Sequence, residues 1–96
     1  MTSSTAGHTR APWRSQGWVP TWAYIPVHDA DHNLVASLYP NEHRGYSRDQ
    51  VEANARLIAA APELLAALIG VVAVADRETD EFIRARAAIA AAKGGA

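Results

Sequence analysis

Prolines and glycines are concentrated in the first half of the chain and exclude a long helix there. They recur at Pro12, Gly17, Pro20, Pro26, Pro40 and Gly45, and each breaks regular backbone hydrogen bonding or favours a turn. By contrast, 15 of the 42 residues from Val51 to Ala92 are alanine, the strongest helix former. This division predicts an α+β fold. We expect a small antiparallel β-sheet of two or three strands, followed by two or three helices packed on one face.

The length, charge and cysteine content of the chain exclude several classes of protein. It has 96 residues, which predicts a single domain. Within it we expect a flexible N-terminus over residues 1–10, a sheet layer over 11–46 and a helical layer over 47–93. The formal net charge of −1 argues against a strongly basic nucleic-acid binder. The absence of cysteine excludes a disulfide framework and a thiolate zinc site.

Two alternating runs around a polar turn predict a β-hairpin. The runs are Thr21–Val27 and Leu34–Tyr39, and the turn formers span 28–33. Pro26 has no N–H to donate, so we expect the first of these strands to be an edge strand or to end in a bulge. The segment Trp13–Val19 is the candidate for a third strand.

Capping signals mark the helices. Ser47, with Gln50 three residues later, fits a capping box, and Glu52 and Arg56 have the spacing of an ion pair on one helix face. We expect this helix to stop or kink before Pro62, with a second helix from there to about residue 75. A third helix is predicted over about 80–92, with its end at the glycines 94 and 95.

Hydropathy indicates a protein that does not span a membrane. The uninterrupted apolar stretch Leu64–Ala75 has 12 residues, whereas a bilayer requires about 20. Residues 1–10 also lack the apolar stretch of a signal peptide. We therefore expect a cytoplasmic location.

The sequence has no catalytic motif, but one group of residues is a candidate metal site. His28, Asp29, Asp31 and His32 offer imidazole and carboxylate ligands. The pair of histidines has the spacing of a metal site only on a helix, so a solvated turn in which Asp caps backbone amides is the favoured interpretation. We find no nucleophile elbow and no phosphate-binding glycine loop. The prediction is a protein that is not an enzyme, with no cofactor and no metal site.

Binding to a partner protein is the favoured kind of function. Aromatic side chains at Trp18, Trp22 and Tyr24 are candidate anchors for a partner, although such side chains also commonly pack a small core. Only Arg10, Arg14 and Arg44 accompany the tryptophans, so we do not expect direct nucleic-acid binding.

Two features of the second half are further candidates for binding. Four carboxylates form an acidic patch that suits a basic partner surface. The alternative interpretation of these residues is a solvated connection between helices. They are Asp76, Glu78, Asp80 and Glu81. The helix predicted from Pro62 to about residue 75 is apolar on more than one face, which predicts either a homodimer or a fully enclosed central helix. The candidate dimer residues are Leu65, Leu68, Ile69 and Val72.

Several segments resemble small phage and prophage proteins. The most specific is 51–68, which contains Asn-Ala-Arg-Leu-Ile-Ala-Ala-Ala-Pro-Glu-Leu-Leu. Others are His8-Thr9 with Pro12-Trp13, the Asp-Ala-Asp turn at 29–31 and Ala-Arg-Ala-Ala-Ile-Ala at 85–90. The resemblance implies a phage or prophage source and supplies no catalytic residue.

From source, size and surface we expect a protein-binding inhibitor of a bacterial defence complex. It would resemble anti-CRISPR proteins, with a CRISPR–Cas effector complex as the expected partner, and would act by covering a surface. The alternative is a homodimeric phage accessory or regulatory protein that binds nucleic acid or another phage protein.

Overall fold

The structure, a computed structural model, describes residues 7–95. It contains three strands, β1 (Arg14–Ser15), β2 (Ile25–His28) and β3 (Leu34–Leu38), and then a short 3₁₀ helix (Glu42–Arg44). Two helices follow, α1 (Arg48–Ala73) and α2 (Asp80–Ala92). The predicted α+β fold is confirmed. Part of the predicted flexible N-terminus, residues 1–6, lies outside the described residues.

The sheet is antiparallel in the order β1–β2–β3, so β2 is its central strand. The prediction for this strand was an edge position or a bulge at its end, and the second alternative is confirmed by the bulge between Val27 and His28. Pro26 explains how the central position is tolerated. The Pro26 carbonyl accepts a hydrogen bond from the N–H of Gln16. The side of Pro26 that lacks an N–H therefore also faces Gln16, one residue past the end of β1. The short length of β1 leaves that position outside the ladder.

The residues before β2 form a closed loop. The predicted strand over 21–27 begins only at Ile25, because Val19 and Tyr24 pair in an isolated bridge. Val19 donates to the Tyr24 carbonyl at 2.9 Å, and its own carbonyl accepts from Ala23 at 2.8 Å. Trp22 therefore lies in a turn and has no place in the sheet.

The predicted capping box starts α1. The Gln50 N–H donates to Oγ of Ser47 at 3.2 Å, and the Ser47 N–H donates back to Oε1 of Gln50 at 3.0 Å. The predicted stop before Pro62 is wrong, because α1 continues through it to Ala73 and replaces the two helices predicted for this stretch. Pro62 cannot donate to the Ile58 carbonyl. The surrounding Ala, Leu and Glu residues are strong helix formers and offset that loss.

The sheet and the first part of α1 share a small core. Ile25 and Val27 from β2 and Ala55 from α1 are fully buried, and Val51 from α1 is nearly so. Side chains that are partly buried complete it: Trp13, Trp18, Val35, Ala36, Leu38, Ile58 and Ala59. The predicted ion pair of Glu52 with Arg56 is wrong. Glu52 lies instead 3.6 Å from Arg48, one turn earlier.

The described chain forms two compact units, 8–62 and 63–95, so the division falls inside α1. The second unit holds the last part of α1 and all of α2. Thr79 caps α2 by accepting from the Phe82 N–H. The helix ends at Ala92, with Lys93 as its C-cap and Gly94 in a left-handed conformation after it. No residue of α2 is fully buried.

Helix α1 is long and apolar enough, by length and composition, to cross a membrane. The expectation of no membrane span rested on a 12-residue apolar stretch bounded by Pro62 and Glu63. Because the helix runs through both residues, that length no longer excludes a span.

Candidate functional site

Trp22 is presented at the tip of the closed loop between Val19 and Tyr24. Its side chain is 70% exposed, which is unusual for the largest apolar residue of a small domain. The next residue, Ala23, has a φ of 54°, a left-handed conformation that costs about 1–2 kcal/mol in a residue with a Cβ. The loop thus keeps Trp22 in solvent at the expense of backbone strain, which is a feature of ligand-contacting segments.

The side chains of the other two predicted aromatic anchors are less exposed than that of Trp22. Tyr24 is half-buried and stacks on Tyr39, with ring centroids 5.6 Å apart. Trp18 is half-buried in the core, and the guanidinium of Arg48 lies 4.5 Å from its ring centroid. Tyr39 is 61% exposed. Among the tryptophans and tyrosines of this unit, Trp22, Tyr39 and Tyr46 are therefore the exposed ones, and Tyr24 contributes through its stack with Tyr39.

The hairpin turn is organised by Asp29, which is buried. Its Oδ1 accepts from the backbone N–H groups of Asp31 and Asn33, both at 2.9 Å, and its Oδ2 accepts from the Asn33 amide at 3.3 Å. Burial opposes the charged form, but the hydrogen bonds from Asn33 and Asp31 outweigh it and lower the pKa of Asp29. The interpretation of this segment as a turn capped by Asp is confirmed at Asp29.

A cavity of about 300 Å³ lies beside this turn, lined in part by Arg10, Arg14, His28 and His32. Arg10 forms an ion pair with Asp31, and its hydrogen bond lowers the pKa of that carboxyl. His32 is held at a φ of 67°. Within residues 7–95, Nδ1 of His28 is buried without a hydrogen-bond partner, and no group of three metal-ligating side chains occurs. Arg14, Gln16, His28 and His32 are therefore the polar side chains that line this cavity outside the Arg10–Asp31 pair and the turn of Asp29.

The predicted acidic patch is partly neutralised by arginines of α2. Glu78 accepts from Arg86 at 2.7 Å, and Glu81 lies 3.9 Å from Arg84. Asp76 and Asp80 are exposed and have no ion pair within the described residues. The four carboxylates therefore carry much less uncompensated charge than their number indicates.

The predicted dimer residues and the most exposed apolar residues lie on different stripes of α1. Leu65, Leu68, Ile69 and Val72 are all half-buried. The exposed stripe contains Leu57 (63% exposed), Leu64 (54%), Val71 (54%) and Val74 (83%), the last just past the helix end.

Sequence reasoning missed three features of these surfaces. The strain at Ala23 has no local sequence signal, because the chain uses alanine where glycine is usual. Tyr39 was assigned only to strand alternation. The exposed stripe did have a signal, the seven-residue spacing of Leu57, Leu64 and Val71. The predicted helix break at Pro62 hid it.

Comparison with known proteins identifies the family. No curated protein and no solved structure matches the chain. The family described as Salmonella phage P22 protein Y8K6 matches residues 1–96, the whole sequence. The predicted membership of a small phage protein family is therefore confirmed, and the chain belongs to the family of Salmonella phage P22 protein Y8K6.

Proposed function

We propose that this phage protein is a protein-binding module that acts without catalysis, with Trp22 as its anchor. The observation that carries the proposal is the 70% exposure of Trp22 beside a strained residue. Exposed tryptophans on rigid loops bury a large area in a partner at little cost in side-chain entropy, and tryptophan is enriched among binding hot spots. The Tyr24–Tyr39 stack supplies further aromatic area in the same unit.

The partner class we propose is a defence complex of the bacterial host, a CRISPR–Cas effector, which places the protein in the host cytoplasm. The phage family supports this proposal, since a phage protein meets host defence complexes inside the cell. The small chain suits inhibition by covering a surface, and exposed Asp76 and Asp80 supply negative charge for a basic partner groove.

The test measures phage plating on bacteria whose CRISPR–Cas system targets the phage. Expression of the chain is expected to restore plaques, and Trp22→Ala is expected to abolish restoration, because a hot-spot truncation costs about 2 kcal/mol or more, at least roughly 30-fold in affinity. The matched control is Tyr46→Ala, an aromatic side chain that is 56% exposed and is predicted to retain activity.

Three results would count against the proposal. Plating that stays unchanged for each CRISPR–Cas system tested would exclude the defence-complex partner. Equal loss of activity in Trp22→Ala and Tyr46→Ala would exclude Trp22 as the anchor. A gel shift with DNA at physiological salt that survives Trp22→Ala would favour the alternative, a nucleic-acid-binding accessory protein.

A further inference from the structure

The cavity beside the hairpin turn lies on one side of the chain segment that contains β1. Every second residue from Arg10 to Gln16 lines the cavity, whereas Trp13, between two of them, packs against the core. Because successive side chains of an extended chain point to opposite faces, the cavity and the core lie on opposite sides of this segment. All lining residues belong to the range 10–32, within the single unit 8–62.

Pairing between β1 and β2 sets an arginine beside an imidazole in the lining. Arg14 and His28 are direct partners across the two strands, and the Cβ atoms of such partners lie about 4.5–5.5 Å apart on the same face of a sheet. Gln16 follows Arg14 on that face, and His32 joins the lining from the hairpin turn. The cavity thus brings together guanidinium, amide and imidazole groups, all of which can donate hydrogen bonds.

Two carboxylates near the cavity oppose the binding of an anion, and both already have partners. Asp31 forms its ion pair with Arg10. Asp29 accepts three hydrogen bonds from its own turn. Arg14 is exposed and has no ion pair within residues 7–95. Arg14 is therefore the cation of this lining that is still available to a ligand.

We infer that this cavity binds the phosphate group of a small phosphomonoester. A guanidinium pairs with two phosphate oxygens through parallel hydrogen bonds, and the remaining oxygen can accept from the amide of Gln16 or from an imidazole. A carboxylate has only two oxygens, which one guanidinium already occupies, so it would leave those other donors without an acceptor. The volume of about 300 Å³ lies at the lower end of the range of small-molecule sites, about 300–1,000 Å³, and leaves room for an organic group beside the phosphate.

The first experiment titrates inorganic phosphate into the full chain and follows the ¹H–¹⁵N spectrum, including the Nε–Hε signals of the arginines. Ionic strength is held constant with sodium chloride, because salt screens general charge effects. We expect saturating shifts of the Arg14 and His28 signals with a Kd of about 1 mM, which suits a site with few contacts. Sodium acetate is expected to bind at least about tenfold more weakly. No saturation by phosphate up to about 50 mM, or equal binding of both anions, would overturn the inference.

Two variants test whether binding belongs to the cavity. Arg14→Gln removes the charge and is expected to weaken phosphate binding at least about tenfold, because hydrogen bonds to charged groups are the stronger ones. Arg44→Gln is the matched control, since Arg44 is an exposed arginine of the same unit and does not line the cavity. It is expected to bind phosphate as the wild type does. Both positions are exposed, so both variants are expected to keep the wild-type Tm. Equal weakening in the two variants would show attraction by overall charge and would exclude the site.

The third experiment distinguishes the sources of the phosphate. Ribose 5-phosphate is expected to shift the same signals as inorganic phosphate, with equal or tighter affinity, whereas ribose is expected to shift none of them. Tighter binding of single-stranded oligothymidine that falls steeply with salt would assign the cavity to a nucleic-acid backbone instead. Trp22→Ala is expected to leave phosphate binding unchanged, so this inference and the proposed function can fail separately.

Discussion

The guanidinium of Arg48 lies over the indole ring of Trp18, 4.5 Å from its centroid. Arg48 is the first residue of α1, and Trp18 belongs to the segment that leads into the strained loop. The same guanidinium lies 3.6 Å from the Glu52 carboxylate. One side chain thus connects the start of the helix to the aromatic side of the sheet unit, and this tertiary contact takes Glu52 away from its predicted partner, Arg56.

Replacement of Arg48 by alanine is expected to destabilise the sheet unit. The loss of the contact with Trp18 costs about 0.5–1 kcal/mol at a partly exposed site, and the exposed ion pair with Glu52 adds a few tenths at most. Urea unfolding followed by tryptophan fluorescence measures the change. Arg56→Ala is the control and is expected to stay within about 0.5 kcal/mol of wild type. Equal effects of the two variants would refute the specific role of Arg48.

The carboxylates of the hairpin turn predict a loss of stability in acid. The pKa values of Asp29 and Asp31 are both lowered. Each therefore stabilises the fold above the usual aspartate pKa of about 3.9, and this contribution is lost as the pH falls through the lower pKa values of the folded state. Asp29→Asn is expected to lower the Tm at neutral pH. It is also expected to make the Tm decrease less steeply as the pH falls.

Thermal unfolding between neutral pH and about pH 2 checks this dependence. The control is Asp76→Asn, which removes an exposed carboxylate outside the turn. A Tm profile for Asp29→Asn that parallels wild type throughout would show that the turn does not contribute to acid sensitivity.

Pro62→Ala is expected to stabilise α1. The substitution restores an N–H that can donate to the Ile58 carbonyl, and proline inside a helix costs about 3 kcal/mol. Pro62 is buried, so the loss of its ring offsets part of this gain, and we expect a net increase of about 1–2 kcal/mol in the free energy of unfolding. Urea unfolding followed by circular dichroism at 222 nm measures it. A lower stability would show that packing of the ring outweighs the hydrogen bond.

Ala23→Gly is expected to raise stability by up to about 1 kcal/mol, because glycine adopts a φ of 54° without a steric penalty. Denaturant unfolding measures this gain. The affinity of the protein for its proposed partner is expected to fall modestly, because a glycine beside Trp22 makes the loop more flexible before binding. The control is Ala66→Gly within α1, where glycine is expected to cost about 1 kcal/mol instead. A destabilising Ala23→Gly would mean that the loop is not strained.

Local signals predicted much of the fold. The capping box at Ser47 and Gln50 and the bounds of α2 were predictable because each depends on residues within one helical turn. The polar turn between β2 and β3 was predictable for the same reason. The Trp22 loop was not, because the alternation of Trp22 and Tyr24 also suits a strand. Only the pairing of Val19 with Tyr24 shows that these residues close a loop.

By itself, the sequence determined the α+β class, the helix caps and the phage family, since each is encoded in composition, short-range spacing or family resemblance. The tertiary structure decided three things that neighbouring residues do not specify. It made β2 central despite Pro26, because β1 ends before the missing N–H is needed. It carried α1 through Pro62, because one lost hydrogen bond weighs less than a continuous run of helix formers. It also decided which apolar side chains remain exposed, and burial depends on contacts between segments distant in the chain.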